Sequence, residues 1–314
     1  MTTDFPRPVL VVSRCLGFEP VRYNGQIVRD DFVQKLVGFC DPVVVCPEVE
    51  IGLGVPRPPI RLVQKRGAAL ALVQPDTGRD LTAAMDDFAQ TFLDGVGTAD
   101  GFLLKSRSPS CGFRDVKIYG SDQEGPPLGK AAGAFGKRVA ERFPAAALED
   151  EGRLNDGGLR ERFLTLLFAL ARLREVERGG ERSALVAFHA RYKFVLLAYE
   201  ERGMRELGRI VAGVADGPWN ETLARYRERF ALAFARPARL GAHVNALQHA
   251  FGHVSEGLSP PERAFFLDQL GELEAGRLPL AGTLTLLRSW VLRFDADYVG
   301  RQAYLEPYPR ALLS

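Results

Sequence analysis

The first half of the chain alternates short apolar runs with amphipathic stretches. Three runs contain only apolar residues, at 10–12, 43–45 and 102–104, and such runs are typical of strands that are buried on both faces of a parallel sheet. Between and after them, apolar positions at helical spacing predict helices over about 30–39, 80–96 and 130–143. The alternation predicts an α/β N-terminal domain, residues 1–150, built on a parallel, Rossmann-like sheet.

The second half shows almost only helical periodicity. Apolar positions recur at helical spacing, and Gly- or Pro-containing segments separate the stretches. The predicted helices cover 159–178, 183–201, 219–234, 241–251, 260–275 and 280–294. The acidic, Gly-containing segment 149–158 indicates a linker between the halves. The sequence therefore predicts that an all-α C-terminal domain, residues 151–314, follows the α/β domain.

The composition is that of an ordinary globular protein. Of 314 residues, 46% are hydrophobic and 25% are charged, which allows two domains with sizeable cores. No apolar stretch is long enough to span a bilayer, and the first residues lack a basic stretch followed by an apolar run. We therefore expect a cytoplasmic protein, whose reduced cysteines serve as ligands or in catalysis rather than as disulfides.

Three of the four cysteines follow the three apolar runs. Cys15, Cys46 and Cys111 each lie shortly beyond one run, and loops that leave the carboxyl ends of parallel strands converge on one crevice. We therefore expect the three thiols to meet. Cys40 ends an apolar helical segment and is interpreted as a small core residue.

Three converging thiolates are compatible with more than one ligand. They could bind zinc with a water in the fourth position, or three irons of a 4Fe–4S cluster with the fourth iron open, or they could remain unligated. The chain has no CxxC pair, which structural zinc sites usually contain. Ligands from three separate strand ends favour a cluster, but spacing alone does not decide.

Polar residues near the cysteines suggest the accompanying chemistry. Glu48 follows Cys46 by two positions, where a carboxylate beside a metal centre can serve as a general base. Ser106 and Ser108 precede Cys111, and their hydroxyls can either bind substrate or cap the loop backbone. Ser108 is the second catalytic candidate. Ser106 is a substrate-binding candidate, together with Ser13 at the end of the first apolar run and Arg57 in the loop after Cys46.

Several motifs resemble a known family. They are VSRCLG at 12–17, CPEVEIGLGVPRPPIRL at 46–62 and LKSRSPSCG at 104–112, and together they resemble the thiouracil desulfurase family. The segment from FHARYKF at 188–194 onward resembles a helical domain that is commonly fused after it. The fused form is similar to bacterial RNA desulfidases that convert 4-thiouridine in tRNA to uridine. The resemblance implies a 4Fe–4S cluster on Cys15, Cys46 and Cys111, Glu48 close to it, and release of hydrosulfide without net redox change.

The charge of the second half bears on an RNA substrate. Residues 151–314 carry a net charge of +3, against −1 for residues 1–150. Within 151–314, Lys193 is the one lysine and the other Lys and Arg positions are all arginines. Arg202, Arg205 and Arg209 fall on one helix face and are candidate phosphate contacts. A second group comprises Arg225, Arg229 and Arg236. Each group taken alone is more often a solvated surface.

Two alternatives to a tRNA 4-thiouridine desulfidase remain. One is a desulfurase of free thiolated bases, which would need no helical platform. The other is a non-catalytic, cluster-binding regulator whose helical domain engages a partner. His249 and His253, spaced i, i+4, lack an evident carboxylate partner and are interpreted as buried hydrogen-bonding residues.

Overall fold

The computed structural model describes residues 4–64, 67, 69–121, 125–214 and 217–313. The chain divides into two compact units. The first, Arg7–Phe163, is α/β, and the second, Leu164–Ser314 together with the residues up to Pro6, is helical in its described part. The predicted fold class is thereby confirmed.

The first unit contains nine strands and four helices within its described residues. In chain order they are β1 (Val9–Ser13), α1 (Asp31–Val37), β2 (Asp41–Val45), α2 (Pro47–Glu50), β3 (Arg61–Val63), β4 (Ala71–Gln74), β5 (Arg79–Asp80), α3 (Thr82–Val96), β6 (Gly101–Leu104), β7 (Val116–Tyr119), β8 (Pro127–Ala131), α4 (Ala134–Arg142) and β9 (Ala147–Asp150). The next helix, α5 (Gly157–Gly179), begins in this unit and continues into the second.

A four-stranded parallel sheet forms the centre of the first unit. Its order is β2-β1-β6-β9, and every pair is parallel. The side chains of Val11, Val12 and Leu103 are fully buried, as expected for strands covered on both faces. Helix α1 is capped by Asp30, whose carboxylate accepts a hydrogen bond from the Val33 N–H at 2.9 Å. The three apolar runs thus form β1, β2 and β6.

A second sheet was not predicted from the sequence. Its strands follow the order β5-β4-β3-β7-β8 and are two to five residues long. The prediction of a helix from about residue 130 was wrong at its start, because Lys130 and Ala131 pair with β7 and α4 begins only at Ala134. Strand β8 is largely exposed at the sheet edge, so it lacks the apolar alternation that marks a strand.

The segment 149–158 is not an exposed linker. Glu149, Asp150 and Glu151 are buried. The Glu149 carboxylate accepts hydrogen bonds from Arg153 Nε at 2.8 Å and from Arg162 Nη2 at 2.5 Å, which fixes the start of α5 to β9. The compact units divide within α5, after Phe163; the domain boundary at residue 150 stays a prediction.

The second unit continues with α6 (Arg182–Ala212), α7 (Trp219–Ala233), α8 (Leu240–Gly252), α9 (Pro260–Glu274), α10 (Leu280–Arg293) and α11 (Asp297–Gly300). Each predicted helix has a counterpart, although α6 extends eleven residues further and is kinked at Glu200, whose φ and ψ are −160° and 96°. Within the described part of the chain, no helix is long and apolar enough to cross a membrane.

The interpretation of His249 and His253 as buried residues was wrong. Both are exposed, because the buried face of α8 contains Val244, Leu247 and His243 instead. The His243 ring nitrogen Nδ1 lies 3.0 Å from the Tyr304 hydroxyl. Burial lowers the pKa of His243 to about 4, so this is the hydrogen-bonded core histidine of the helix.

We expect Glu149→Ala to destabilise the first unit strongly. The substitution leaves Arg153 and Arg162 without their shared carboxylate, and breaking a buried ion pair typically costs about 3–5 kcal/mol. Urea denaturation measures the change in unfolding free energy. Asp86→Ala is the matched control, because it breaks an exposed pair with Arg138 whose contribution is typically below about 1 kcal/mol. Equal losses in both variants would contradict this role of Glu149.

Candidate functional site

The three strand-end thiols line one pocket. Cys46 directly follows β2, Cys15 lies two residues beyond β1, and Cys111 lies seven residues beyond β6. These are adjacent strands of the parallel sheet, so their carboxyl ends deliver the three buried thiols to one cavity of about 480 Å³. Cys40 is also fully buried but does not line it.

Glu48 joins two of the cysteine loops. Helix α2 starts immediately after Cys46 and places Glu48 in its first turn, on the pocket wall. Its Oε2 accepts hydrogen bonds from Arg57 Nε and Nη2 at 2.8 and 2.7 Å. Its Oε1 lies 2.6 Å from Ser110 Oγ and 3.3 Å from Ser108 Oγ. One carboxylate therefore fixes the Cys46 loop against the Cys111 loop.

Backbone hydrogen bonds from the start of α4 hold the Cys111 loop in place. The backbone N–H groups of Gly133, Ala134 and Gly136 donate to the carbonyls of Gly112, Pro109 and Ser110 at 2.5–3.0 Å. A Cβ atom at Gly133 or Gly136 would lie 2.6 Å from a loop carbonyl oxygen. Glycine is therefore needed at both positions for this close backbone approach.

The sequence analysis missed an ion pair between Lys105, which lines the pocket, and Glu151. The Lys105 ammonium pairs with the Glu151 carboxylate, which also accepts hydrogen bonds from the N–H and hydroxyl of Ser106 at 2.8 and 2.6 Å. Lys105 and Ser106 line the pocket. Lys105 could have been identified as a site residue from its position directly after β6. Glu151 could not, because its segment was predicted to be a linker.

The candidate substrate contacts of the first unit have different surroundings. Ser13 is buried, its hydroxyl accepts a hydrogen bond from the Lys105 N–H at 2.9 Å, and it is not among the residues that line the pocket. Arg57 and Ser106 line the pocket, although Arg57 is engaged by Glu48 and Ser106 by Glu151. Arg107 lines it in a left-handed backbone conformation with φ of 59°, a strained state that is typical of functional loops.

Burial and mutual proximity keep the thiols protonated. Burial, with a smaller contribution from Cys46, raises the pKa of Cys15 to about 12. Burial raises the pKa of Cys111, with Glu48, Cys15 and Cys46 adding to the effect, and burial also raises the pKa of Cys46. Three thiolates in this pocket would repel each other, so the charged form requires a bound cation.

The arrangement of the donors distinguishes between metal centres. Sulfur ligands on one tetrahedral zinc lie about 3.8 Å apart, given Zn–S bonds of about 2.3 Å. Among the described residues, no three His, Cys, Asp or Glu side chains lie close enough together to hold a single ion. A cluster binds each thiolate through a different iron and accepts sulfurs that are spread around a cavity. The soft donor set and its spread therefore fit a cluster better than zinc.

The arginine candidates of the second unit are largely engaged. Arg202 pairs with Glu206 at 2.9 Å and Arg205 with Glu201 at 2.5 Å, both at i, i+4 spacing. Arg209 is exposed. In the second group, Arg229 pairs with Glu200 and Glu206. None of these arginines lines the cysteine pocket, whose lining comes from the first unit.

Comparisons with known proteins find two families that match different parts of the chain. The sequence profile of the 2-thiouracil desulfurase family matches residues 10–151, and that of a family of unknown function, DUF1722, matches residues 193–309. The chain is 29% identical to the uncharacterized protein YbgA of Escherichia coli, over 48% of this chain and 89% of that protein. It is 31% identical to the uncharacterized protein YbbK of Bacillus subtilis, over 36% of this chain and 84% of that protein.

One solved structure is similar in sequence. It is the [4Fe-4S]-dependent thiouracil desulfidase TudS, which is 30% identical over 48% of this chain and 94% of that chain, with a TM-score of 0.36. The matched region 10–151 contains all three pocket cysteines and Glu48. Through this region, the chain belongs to the 2-thiouracil desulfurase family.

Proposed function

We propose that this protein is a desulfidase that replaces the sulfur of a thiolated uracil by oxygen and releases hydrosulfide. The observation that carries the proposal is the pocket in which three buried thiols and the Glu48 carboxylate face one cavity. The family match and the sequence similarity to a thiouracil desulfidase support it.

The cofactor is a 4Fe–4S cluster bound by Cys15, Cys46 and Cys111. When bound, it supplies an iron that lacks a protein ligand and acts as a Lewis acid toward the soft thiocarbonyl sulfur, with no net electron transfer. The protein keeps this centre in a buried cavity. The ammonium of Lys105, which pairs with Glu151, lies on the pocket wall and adds positive charge to the cavity in which the departing sulfur gains negative charge.

Glu48 accepts the proton, and Ser108 orients the Glu48 carboxylate. Arg57 engages Glu48 Oε2, so Oε1 is the oxygen that accepts a proton from the attacking water. The Ser108 hydroxyl lines the pocket and lies 3.3 Å from that oxygen. It accepts the N–H groups of Ser110 and Cys111, which directs its own hydrogen toward Glu48 or Ser110. Because both lone pairs of this hydroxyl are then used, Ser108 orients the carboxylate, and Glu48 takes the proton directly.

We propose further that the substrate is 4-thiouridine in tRNA and that the reaction takes place in the cytoplasm. A helical unit follows the desulfurase domain, and a small free base requires no second unit for binding. A base in RNA must leave its stack to enter a pocket of about 480 Å³. The arginine-rich helical unit provides phosphate contacts that hold the RNA without reading its sequence.

A specific observation favours the alternative, a desulfidase of free thiolated bases. Arg202 and Arg205, the most prominent candidate phosphate contacts, already pair with carboxylates of the same helix. These pairs reduce the attraction for RNA, and the cavity is large enough for a free base.

Parallel assays distinguish the two substrates. Anaerobically purified protein is incubated with tRNA that contains 4-thiouridine and, separately, with free 2-thiouracil, and loss of the thiocarbonyl absorbance is followed together with hydrosulfide release. We expect turnover of both, with the higher kcat/KM on tRNA. A higher value on the free base would establish the alternative, and absence of turnover on both would refute the desulfidase proposal.

We expect Cys15→Ser, Cys46→Ser and Cys111→Ser each to lose most of the bound iron, because a hydroxyl is a poor substitute for a soft thiolate. Iron analysis and the visible spectrum measure the loss. Cys40→Ser is the matched control and should retain iron, since this buried residue does not line the pocket. Full iron content in one of the first three variants would remove that residue from the ligand set.

We expect Glu48→Gln to retain the cluster but lose turnover about 100- to 10,000-fold, the usual cost of losing a general base. The amide still accepts hydrogen bonds but accepts no proton at neutral pH. Glu50→Gln is the control for loss of one carboxylate on α2, where Glu50 pairs with Arg14. A wild-type rate in Glu48→Gln would place the base elsewhere. Loss of iron along with activity would assign Glu48 a structural role.

We expect reversal of Arg202, Arg205 and Arg209 to Glu to weaken tRNA binding and flatten its salt dependence, because fewer counterions are released on association. Filter binding at several salt concentrations measures both effects. The control reverses three exposed, ion-paired residues on α4, Lys137, Arg138 and Arg142. Equal weakening by both triple variants would indicate a general charge effect, and wild-type binding by the first would make this face a solvated surface.

A further inference from the structure

A second large cavity lies within the helical unit. Its volume is about 750 Å³, within the range of about 300–1,000 Å³ that is typical of small-molecule sites. Apolar side chains form much of its wall, among them Val176, Ala187 and Phe188, and the half-exposed ring of Tyr298 contributes to its lining. We call it the helical-unit pocket. Its lining comes from α5, α6, α11 and the residues that follow, and contains no residue of the cysteine pocket.

Arg191 brings an unsatisfied hydrogen-bond donor to this pocket. It projects from α6 and is partly buried, and its Nε atom is buried without a hydrogen-bond partner among the described residues. Burial lowers the pKa of Arg191, and the adjacent positive charge of Arg172 lowers it further. A partly desolvated guanidinium beside a like charge is stabilised when an anion joins it.

Arg172 is held in place beside Arg191. Its Nη2 donates to the Asp4 carbonyl at 2.6 Å, and its side chain is hydrogen-bonded to the buried Tyr192 hydroxyl. These bonds fix the guanidinium but do not neutralise it, because neither partner carries a negative charge at neutral pH. The pocket therefore contains two neighbouring guanidinium groups. That of Arg172 is anchored, and that of Arg191 has a buried Nε without a partner among the described residues.

The carboxylates of the pocket offset its positive charge only in part. In the described part of the chain, the lining contains three arginines, Arg172, Arg191 and Arg301, against two carboxylates, Asp297 and Glu175. Asp297 pairs with Arg301 at i, i+4 spacing, and Glu175 is exposed on α5 and acts electrostatically on Tyr192. A net positive charge thus remains beside the aromatic and apolar wall formed in part by Phe188.

We propose that the helical-unit pocket binds a small phosphate monoester with a flat apolar body, of which a nucleoside 5′-monophosphate is an example. The phosphate lies between Arg172 and Arg191, since the planar guanidinium forms bidentate hydrogen bonds with phosphate oxygens. The flat body lies against the apolar wall beside Phe188 and Tyr298. The proposal does not depend on desulfuration, because none of these residues belongs to the desulfurase domain.

Titration calorimetry on the full-length, cluster-containing protein tests the site with three probes: uridine 5′-monophosphate, uridine and inorganic phosphate. We expect saturable binding of the monophosphate, stronger than that of either fragment. Arg191→Gln should weaken it about 10- to 100-fold, the usual effect of losing charge-assisted hydrogen bonds. Arg263→Gln, at an exposed position of α9 outside the pocket, should leave the affinity unchanged.

Thermal unfolding provides a second measurement. Without nucleotide, Arg191→Gln should be at least as stable as the wild type, because the substitution removes a charge that faces Arg172 without a counterion. The monophosphate should raise the Tm of the wild type and of Arg263→Gln but not that of Arg191→Gln. Absence of saturable binding by the wild type would overturn the proposal. Unchanged affinity in Arg191→Gln would do the same, because the nucleotide would then bind elsewhere.

Discussion

The carboxylate of Glu48 is the interaction on which the cysteine pocket depends. One oxygen engages the buried guanidinium of Arg57 and the other the hydroxyls of Ser108 and Ser110, so the loops that present Cys46 and Cys111 are joined through a single charge. The pair is mutually dependent, since an Arg57 that is 7% exposed would be left desolvated without a hydrogen-bond acceptor at position 48. The same contacts give the two carboxylate oxygens of Glu48 different roles. Oε2 is committed to the scaffold, whereas Oε1 is bonded only to hydroxyls, which can exchange protons.

The cysteine pocket is stable when its three thiols are neutral, and it becomes reactive when they ionise. The parallel strands converge on the cavity whether or not a cofactor is bound, and burial keeps the thiols neutral. Assembly of a metal centre must release these protons, because thiolates and not thiols are the ligands. The acidic side chain of Glu48 opposes thiol ionisation, while Lys105 favours it at Cys15. Glu151 opposes ionisation of Cys15 as well, so the Lys105–Glu151 pair influences how readily this thiol loses its proton.

The sequence revealed those parts of the site that rest on strong local patterns. Uninterrupted apolar runs identify β1, β2 and β6, and with them the meeting of Cys15, Cys46 and Cys111. The second sheet was missed because its short, partly exposed strands carry no such pattern. Glu149 and Glu151 were assigned to a linker because acidic residues beside glycine are usually solvated; only tertiary contacts with Arg153, Arg162 and Lys105 explain their burial. A truncation near residue 155 would delete Arg162. Glu149 of β9 would then lose one of its two arginine partners, which would destabilise the strand.

Whether the arginines of a helix can bind an anion likewise depends on the tertiary structure and not only on their number. Periodicity singles out Arg202 and Arg205 as a basic face, yet Glu201 and Glu206 at i, i+4 neutralise both. The same periodicity gives no prominence to Arg191, which lines a cavity and whose buried Nε has no hydrogen-bond partner in the described part of the chain. A guanidinium in water that already has a carboxylate gains little from a phosphate, because one ion pair is exchanged for another. A desolvated one beside a second cation gains much more. The capacity of the helical unit to bind anions is therefore determined by where its carboxylates lie rather than by its net charge.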